Sequence, residues 1–207
     1  MTQTKRRRRK DMRPTDIIDA AVQEFGIKGY SATTIGSIAA RARIARSTVY
    51  LYFEDKEALI KEAFRVRVGN VVTDARPSGA AADQPFADVL SHMLGKMYAR
   101  LVDKDTIVLL RVLIAEGRQF PELTQFYHDT ILTVAQDTMS RLLADGVARG
   151  EVRPEALDYD PKLIMAPIIM AAIWRLTFEE IAPLDMQRLV ENHVDLLTSG
   201  LLVPGPA

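Results

Sequence analysis

Within seven residues the chain sets Arg46, Ser47, Thr48, Tyr50 and Tyr52, a cluster of hydrogen-bond donors with one fixed cation and no group that titrates near neutral pH. Side chains of this kind hold and read rather than move protons. A guanidinium can address O6 and N7 of guanine together, short hydroxyls reach base edges or phosphates, and phenols bond phosphate oxygens. The three histidines offer less. His92, His128 and His193 have no second histidine four residues away, and Asp88 before His92 completes only two ligands where a metal site needs three or four. Each is expected to be a surface or groove residue. There is no phosphate-binding P-loop, no GxGxxG and no GxSxG elbow. Glu179 and Glu180 are neighbours in sequence and so diverge on a helix, which does not suit acid–base work. No catalytic residue, metal or cofactor is expected, and an enzyme is not the favoured reading.

The donor cluster needs a scaffold, and its surroundings supply one. From Thr34 to Phe53 the chain reads TIGSIAARARIARSTVYLYF. Ile35, Ile38, Ala39 and Ala42 recur at helical spacing, Arg43-Ile44-Ala45 interrupts, and Val49, Tyr50 and Phe53 resume the pattern. That is helix, tight turn, helix, with Thr34 placed as N-cap of the first. Upstream, Ile17, Ile18, Ala21, Val22 and Phe25 form the stripe of a helix opened by Pro14 and stopped by Gly26 and Gly29. It is expected to back the motif, because two short helices cannot bury their own apolar side. Downstream, Asp55 caps a helix with the stripe Leu59, Ile60, Ala63, Phe64, running to about Arg76. Lys56 in its first turn, beside free backbone N–H groups, is expected to contact phosphate.

The spaced set Thr34, Ile38-Ala39, Ile44, Thr48, Tyr50, Tyr52-Phe53, Lys56-Glu57 and Leu59 resembles the TetR family of bacterial transcriptional regulators. The resemblance covers about the first 65 residues. It implies an all-α protein: a three-helix helix-turn-helix DNA-binding head followed by a larger helical ligand-binding and dimerisation bundle, about nine helices together. It also implies a repressor that binds a palindromic operator as a dimer and responds to a small apolar effector. The DNA-binding residues expected on this reading are Thr34, Arg43, Ala45, Arg46, Ser47, Thr48, Tyr50, Tyr52 and Lys56. Two positions depart from the family pattern: the turn glycine is Arg43 and the serine capping the second helix is Ala45. A left-handed non-glycine residue costs roughly 1–2 kcal/mol, and a missing cap about 1 kcal/mol. The turn is therefore expected to be held by tertiary packing, with Arg43 adding a phosphate contact.

Charge is distributed to match. The whole chain of 207 residues is formally neutral, but residues 1–53 carry 11 Lys and Arg against 4 Asp and Glu, and the remainder 16 against 23. A cationic end beside an acidic remainder suits a molecule that turns one face to nucleic acid. The run Lys5 to Lys10 is too charged to pack and reads as a flexible basic arm. No apolar segment follows it, so a secretory signal is not expected. With no cysteine, a disulfide framework is impossible and a reducing cytoplasm is the expected location. The organisation expected is a basic arm over 1–12, a DNA-binding domain over 13–54 and an effector-binding and dimerisation domain over 55–207.

In that second domain Pro77-Ser78-Gly79 reads as a linker, and every later segment has helical periodicity. The stretch Leu110 to Leu123, with Phe120-Pro121-Glu122-Leu123, is similar to the ligand domain of TetR members that resemble efflux-pump and multidrug-resistance repressors. Met93, Met97, Phe120, Tyr127, Trp174 and Phe178 are the expected effector lining. Leu163 to Trp174 is apolar over twelve residues between Lys162 and Arg175, short of the ~20 that span a membrane, so protein is expected to bury it and no membrane partner is expected. Helices over 162–177 and 185–202 have more apolar face than one small core uses, and the family pairs them with their copies across a two-fold axis. The alternatives from other classes are an all-α interaction protein, or an enzyme, with an incidental helical hairpin.

Overall fold

The computed structural model describes residues 14–69 and 84–203. The basic arm, the Pro77-Ser78-Gly79 linker and the expected helix end near Arg76 lie outside them. Among the described residues nine α-helices follow in order: α1 (Pro14–Ala32), α2 (Ile35–Arg41), α3 (Arg46–Tyr50) and α4 (Lys56–Phe64, prolonged by a π-helical turn over Arg65–Gly69). Then come α5 (Phe86–Val102), α6 (Lys104–Glu116), and α7 (Pro121–Tyr127, a π-helical turn His128–Leu132, then Thr133–Ala148). The last two are α8 (Pro161–Phe178) and α9 (Met186–Leu201). Among the described residues the fold is all-α, its one extended contact being an isolated bridge between Val152 and Leu202.

The packing divides the chain into two compact units, one within Met1–Val68 and Lys104–His128, the other within Gly69–Asp103 and Asp129–Ala207. This cut differs from the functional one expected at residue 54. Helix α6 and the first turns of α7 pack with the N-terminal helices, because their apolar residues Leu109, Val112 and Leu123 join the same core as Ile17, Ile18, Phe25, Ile38, Val49, Leu59 and Phe64. Each such side chain stabilises the unit by about 1.5–3 kcal/mol when fully buried.

Glycine at 26 does not stop α1. The break comes at Gly29, where φ is 78° and ψ is 173°, and the chain recovers one further turn before Thr34. An acidic residue on α1 ties the unit together: Glu24, 3% exposed, receives Lys28 Nζ at 2.7 Å and Arg41 Nε at 2.6 Å. Because Arg41 ends α2, this contact fixes α2 against α1. The hydrogen bond from Lys28, then that from Arg41, hold the Glu24 carboxyl down to about 2, against the opposing effect of burial.

In the second unit, α5 supplies Phe86, Leu90, Met93, Leu94 and Tyr98 to the interior. His193 is buried there, only 4% exposed, which corrects its expected place at the surface. Its Nδ1 lies 3.0 Å from the Tyr98 hydroxyl. Burial lowers the His193 pKa, opposed by the backbone of Ile164, and pushes the Tyr98 phenol up to about 12. The hydrogen bond between hydroxyl and ring lets two polar groups share an apolar interior. Helix α8 departs from expectation. It is 18 residues long and apolar enough to cross a bilayer by length and composition. Leu163, Ile169, Met170 and Ile173 are exposed, so the described residues leave part of it uncovered.

The Glu24 contacts set an acid dependence. A carboxyl held at about 2 in the folded chain and near 4.5 when unfolded contributes stability that is complete above 4.5 and is lost as pH falls toward 2. Thermal denaturation across this window is expected to show Glu24→Gln with a flatter pH profile than wild type, and about 2 kcal/mol less stable at pH 7. The loss lies below the 3–5 kcal/mol of a fully buried pair, since Lys28 and Arg41 are partly exposed.

Candidate nucleic-acid interface

The motif from Thr34 to Phe53 forms as helix, turn and helix. Thr34 Oγ1 caps α2 by accepting from Ser37 N at 3.1 Å, and Ser37 Oγ accepts in return from Thr34 N at 3.3 Å, a reciprocal capping box. The turn is closed by two backbone bonds, Ile44 N to Ala39 O at 2.9 Å and Arg43 N to Ala40 O at 3.1 Å. This is the Schellman arrangement, and it puts Arg43 at the position glycine usually holds, with φ of 58°. Local hydrogen bonds therefore close the turn, in addition to the packing of Ile44 on the core. Ala45 precedes α3 with no side-chain cap.

Helix α3 buries Val49 completely, and Phe53 follows it inward. Its other side is open: Arg43, Ala45, Arg46 and Ser47 are exposed and Thr48 is half-buried. Tyr50 is 55% and Tyr52 46% exposed, and Leu51, which the sequence pattern did not single out, is 80% exposed. One face thus presents a guanidinium, hydroxyls and phenols together. Thr34 is exposed as well, although its side chain already serves the cap.

Two placements differ from the sequence reading. Lys56 is turned inward: its ammonium donates to the carbonyls of Tyr30 at 2.7 Å, Thr33 at 2.9 Å and Ser31 at 3.3 Å. It also lies over the Tyr30 ring, 4.2 Å from the centroid. Its three donors hold the connection between α1 and α2 in place of the expected phosphate. Arg46 folds back over α2, where a Cβ built on Gly36 would lie 2.6 Å from its Nε and 2.7 Å from its Cζ. A glycine in the first turn of α2 is the only residue type that leaves the guanidinium this berth.

The six expected effector residues fall in both units. Phe120 stands edge-on to Tyr30 with centroids 4.7 Å apart, and Tyr127 edge-on to Phe64 at 5.4 Å, so both serve the core of the first. In the second, Met93 is buried, and Met97 packs with Ala135 and Met165. Trp174 donates Nε1 to Ala182 O at 2.7 Å and faces Phe178 at 5.0 Å. A separate open groove of about 580 Å³ runs along the first unit past Leu113, Ile114, Arg118, Pro121 and His128. None of the six lines it. No cluster of three or more His, Asp or Glu suited to a metal occurs among the described residues.

Residues 17–63 match the model of the bacterial regulatory proteins of the tetR family, and residues 86–196 that of the tetracyclin repressor-like C-terminal domain. The chain belongs to the TetR family. It is a helix-turn-helix DNA-binding transcriptional regulator. Among curated relatives, the uncharacterized HTH-type regulator YdeS of Bacillus subtilis is 26% identical over 178 residues, 85% of each chain. The fatty acid metabolism regulator protein of the same organism is 29% identical over 147 residues, 69% of this chain and 71% of that one. The fold is shared with solved structures. The B. subtilis regulator FadR in complex with stearoyl-CoA has a TM-score of 0.73 at 22% identity, covering 91% of this chain and 99% of its own. SmeT, the repressor of the Stenotrophomonas maltophilia multidrug efflux pump SmeDEF, has 0.69 at 20%, covering 94% and 93%.

The Arg46 berth is testable in this TetR regulator without DNA. Gly36 has no positive φ, and the atoms in the way of a methyl group are the mobile end of a side chain. Gly36→Ala is expected to stabilise α2 by up to roughly 1 kcal/mol, with Arg46 displaced. A melting temperature below wild type would show that the guanidinium cannot yield.

Proposed function

We propose that this regulator is a ligand-responsive repressor that binds a palindromic operator as a homodimer, in the bacterial cytoplasm. The observation that carries the reading is the open face of α3, with Arg46, Ser47, Tyr50 and Tyr52 outward while Val49 and Phe53 anchor it beneath. On this reading Arg46 leaves its place over Gly36 and reads guanine. Ser47 and Thr48 bond base edges or phosphates, and Tyr50, Tyr52, Thr34 and Arg43 hold phosphates and set register. Ala45 lets the backbone at the start of α3 approach the duplex.

Two-fold pairing through helices 162–177 and 185–202 accounts for the uncovered apolar surface. Leu163, Met170 and Ile173 recur at helical spacing on α8, and Leu196 on α9 is 70% exposed. A second copy covers such a face in water as the hydrophobic effect requires. It also sets two recognition helices to half-sites one or more helical turns apart. The effector is a small apolar molecule. Its action is limited to its differential affinity for the two dimer states. The likeness to a fatty acid metabolism regulator, and to the solved FadR that holds stearoyl-CoA, puts long-chain acyl thioesters beside apolar cations and phenolics as ligands to try.

Selection of operator from a random DNA pool, followed by anisotropy titrations, tests the reading. A palindromic site is expected, with Arg46→Ala weakening it roughly ten- to a hundredfold and an acyl-CoA, apolar cation or phenolic releasing it. Unchanged affinity and preference in Arg46→Ala would remove it as a reader, and release by none of the ligands would remove the effector. Light scattering tests the pairing: Ile173→Glu is expected to convert a dimer to monomers and weaken operator binding with it. A monomeric wild type at micromolar concentration would refute that interface.

A further inference from the structure

The connection between α1 and α2 is held from two sides by opposite charges. Glu116, the last residue of α6, accepts from Tyr30 N and Ser31 N at 2.7 Å each, one bond to each carboxylate oxygen. From the other side, Lys56 at the start of α4 donates to the carbonyls of Tyr30, Ser31 and Thr33. Between them lies Gly29, whose φ of 78° turns the chain and whose missing side chain admits the carboxylate. A Cβ there would lie 2.6 Å from Glu116 Oε1. The next residue after this segment is Thr34, the cap of α2. Two helices, α6 and α4, thus converge on residues 29–33, the last turn of α1 beyond its break and the step into α2, which decide where the helix-turn-helix begins.

These bonds are charge-assisted and so stronger than ordinary ones. They are also directional: a carboxylate that takes both Tyr30 N and Ser31 N fixes the orientation of two successive peptide planes. Burial lowers the pKa of Lys56, and the charge of Glu116 opposes that fall. Glu116 lies on the α1–α2 connection, and the groove residues Gly117 and Arg118 follow it in sequence.

We propose that Glu116 is a positioning residue for operator recognition: through Tyr30 N and Ser31 N it ties the end of α6 to the helix-turn-helix and sets the angle at which α2 and α3 are presented. The proposal rests on α3 being the element that enters DNA, and adds the contact that aims it. Its sign separates it from simple electrostatics. Removing a negative charge from a DNA-binding protein strengthens association, whereas loss of a positioning contact weakens specific association and leaves the non-specific kind in place.

The experiment compares wild type, Glu116→Ala, Glu116→Gln and Lys56→Met by anisotropy on the selected operator and on a scrambled duplex, with amide hydrogen exchange at Tyr30 and Ser31. The expected result for Glu116→Ala is an operator affinity lower by about tenfold or more, non-specific affinity equal to or above wild type, and faster exchange at those two amides with Phe25 unchanged. Glu116→Gln, with one acceptor oxygen in place of two, is expected to fall between, and Lys56→Met to lose specific affinity from the opposite side. Operator affinity of Glu116→Ala equal to wild type, or a parallel loss on both duplexes, overturns the proposal. If Glu116→Ala does not fold, Glu116→Gln decides by the same two ratios. Failure of the wild type itself to prefer any operator would instead sink the DNA-reading assignment of α3.

Discussion

A helix of five residues has no stability of its own. Isolated helices shorter than about 12–15 residues are marginal in water, and α3, from Arg46 to Tyr50, also lacks a side-chain cap. What holds it is burial: Val49 and Phe53 enter a core built by α1, α4 and α6, and the preceding turn is closed by backbone bonds to α2. The rest of the interface follows from that constraint. Because the inward side of α3 is used for anchoring, its exposed side can be polar along its whole length, and the guanidinium, hydroxyls and phenols stand together on a rigid support.

The first unit is joined by charges as well as by apolar packing. Glu24 links α2 to α1. Arg67, in the π-helical turn after α4, pairs with Asp19 of α1 and lies 3.2 Å from Asp105 of α6. Lys56 and Glu116 grip the connection that leads into the motif. These contacts explain why α6 travels with the N-terminal helices: it is attached to them at both ends, by Asp105 and by Glu116, with Leu109 and Val112 between.

The second unit has the opposite character. Its interior holds the polar pair of Tyr98 with His193, and its periphery keeps an apolar stripe on α8 that the described residues leave exposed. The same hydrophobic term acts in both units: the first satisfies its apolar side chains within its own core, and the second leaves part of α8 open among the described residues.

Much of this was legible in order along the chain. Periodicity and caps located the helices, and Thr34 and Asp55 cap where their residue types say they should. The departures at Arg43 and Ala45 were visible as a left-handed turn without glycine and a helix start without a cap. Local pattern carries such features because they are satisfied within a few residues. What only tertiary structure decided involves partners far apart in sequence. Lys56 reads as a phosphate ligand until carbonyls 23 to 26 residues earlier accept its hydrogen bonds. His193 reads as a surface residue until Tyr98, 95 positions away, receives it in the interior. Gly36 and Glu116 carry no signal at all until the fold brings Arg46 over one and the α1–α2 connection under the other. A spacing rule reports which residues share a helical face; which distant group meets that face is settled only by the packing that brings helices together.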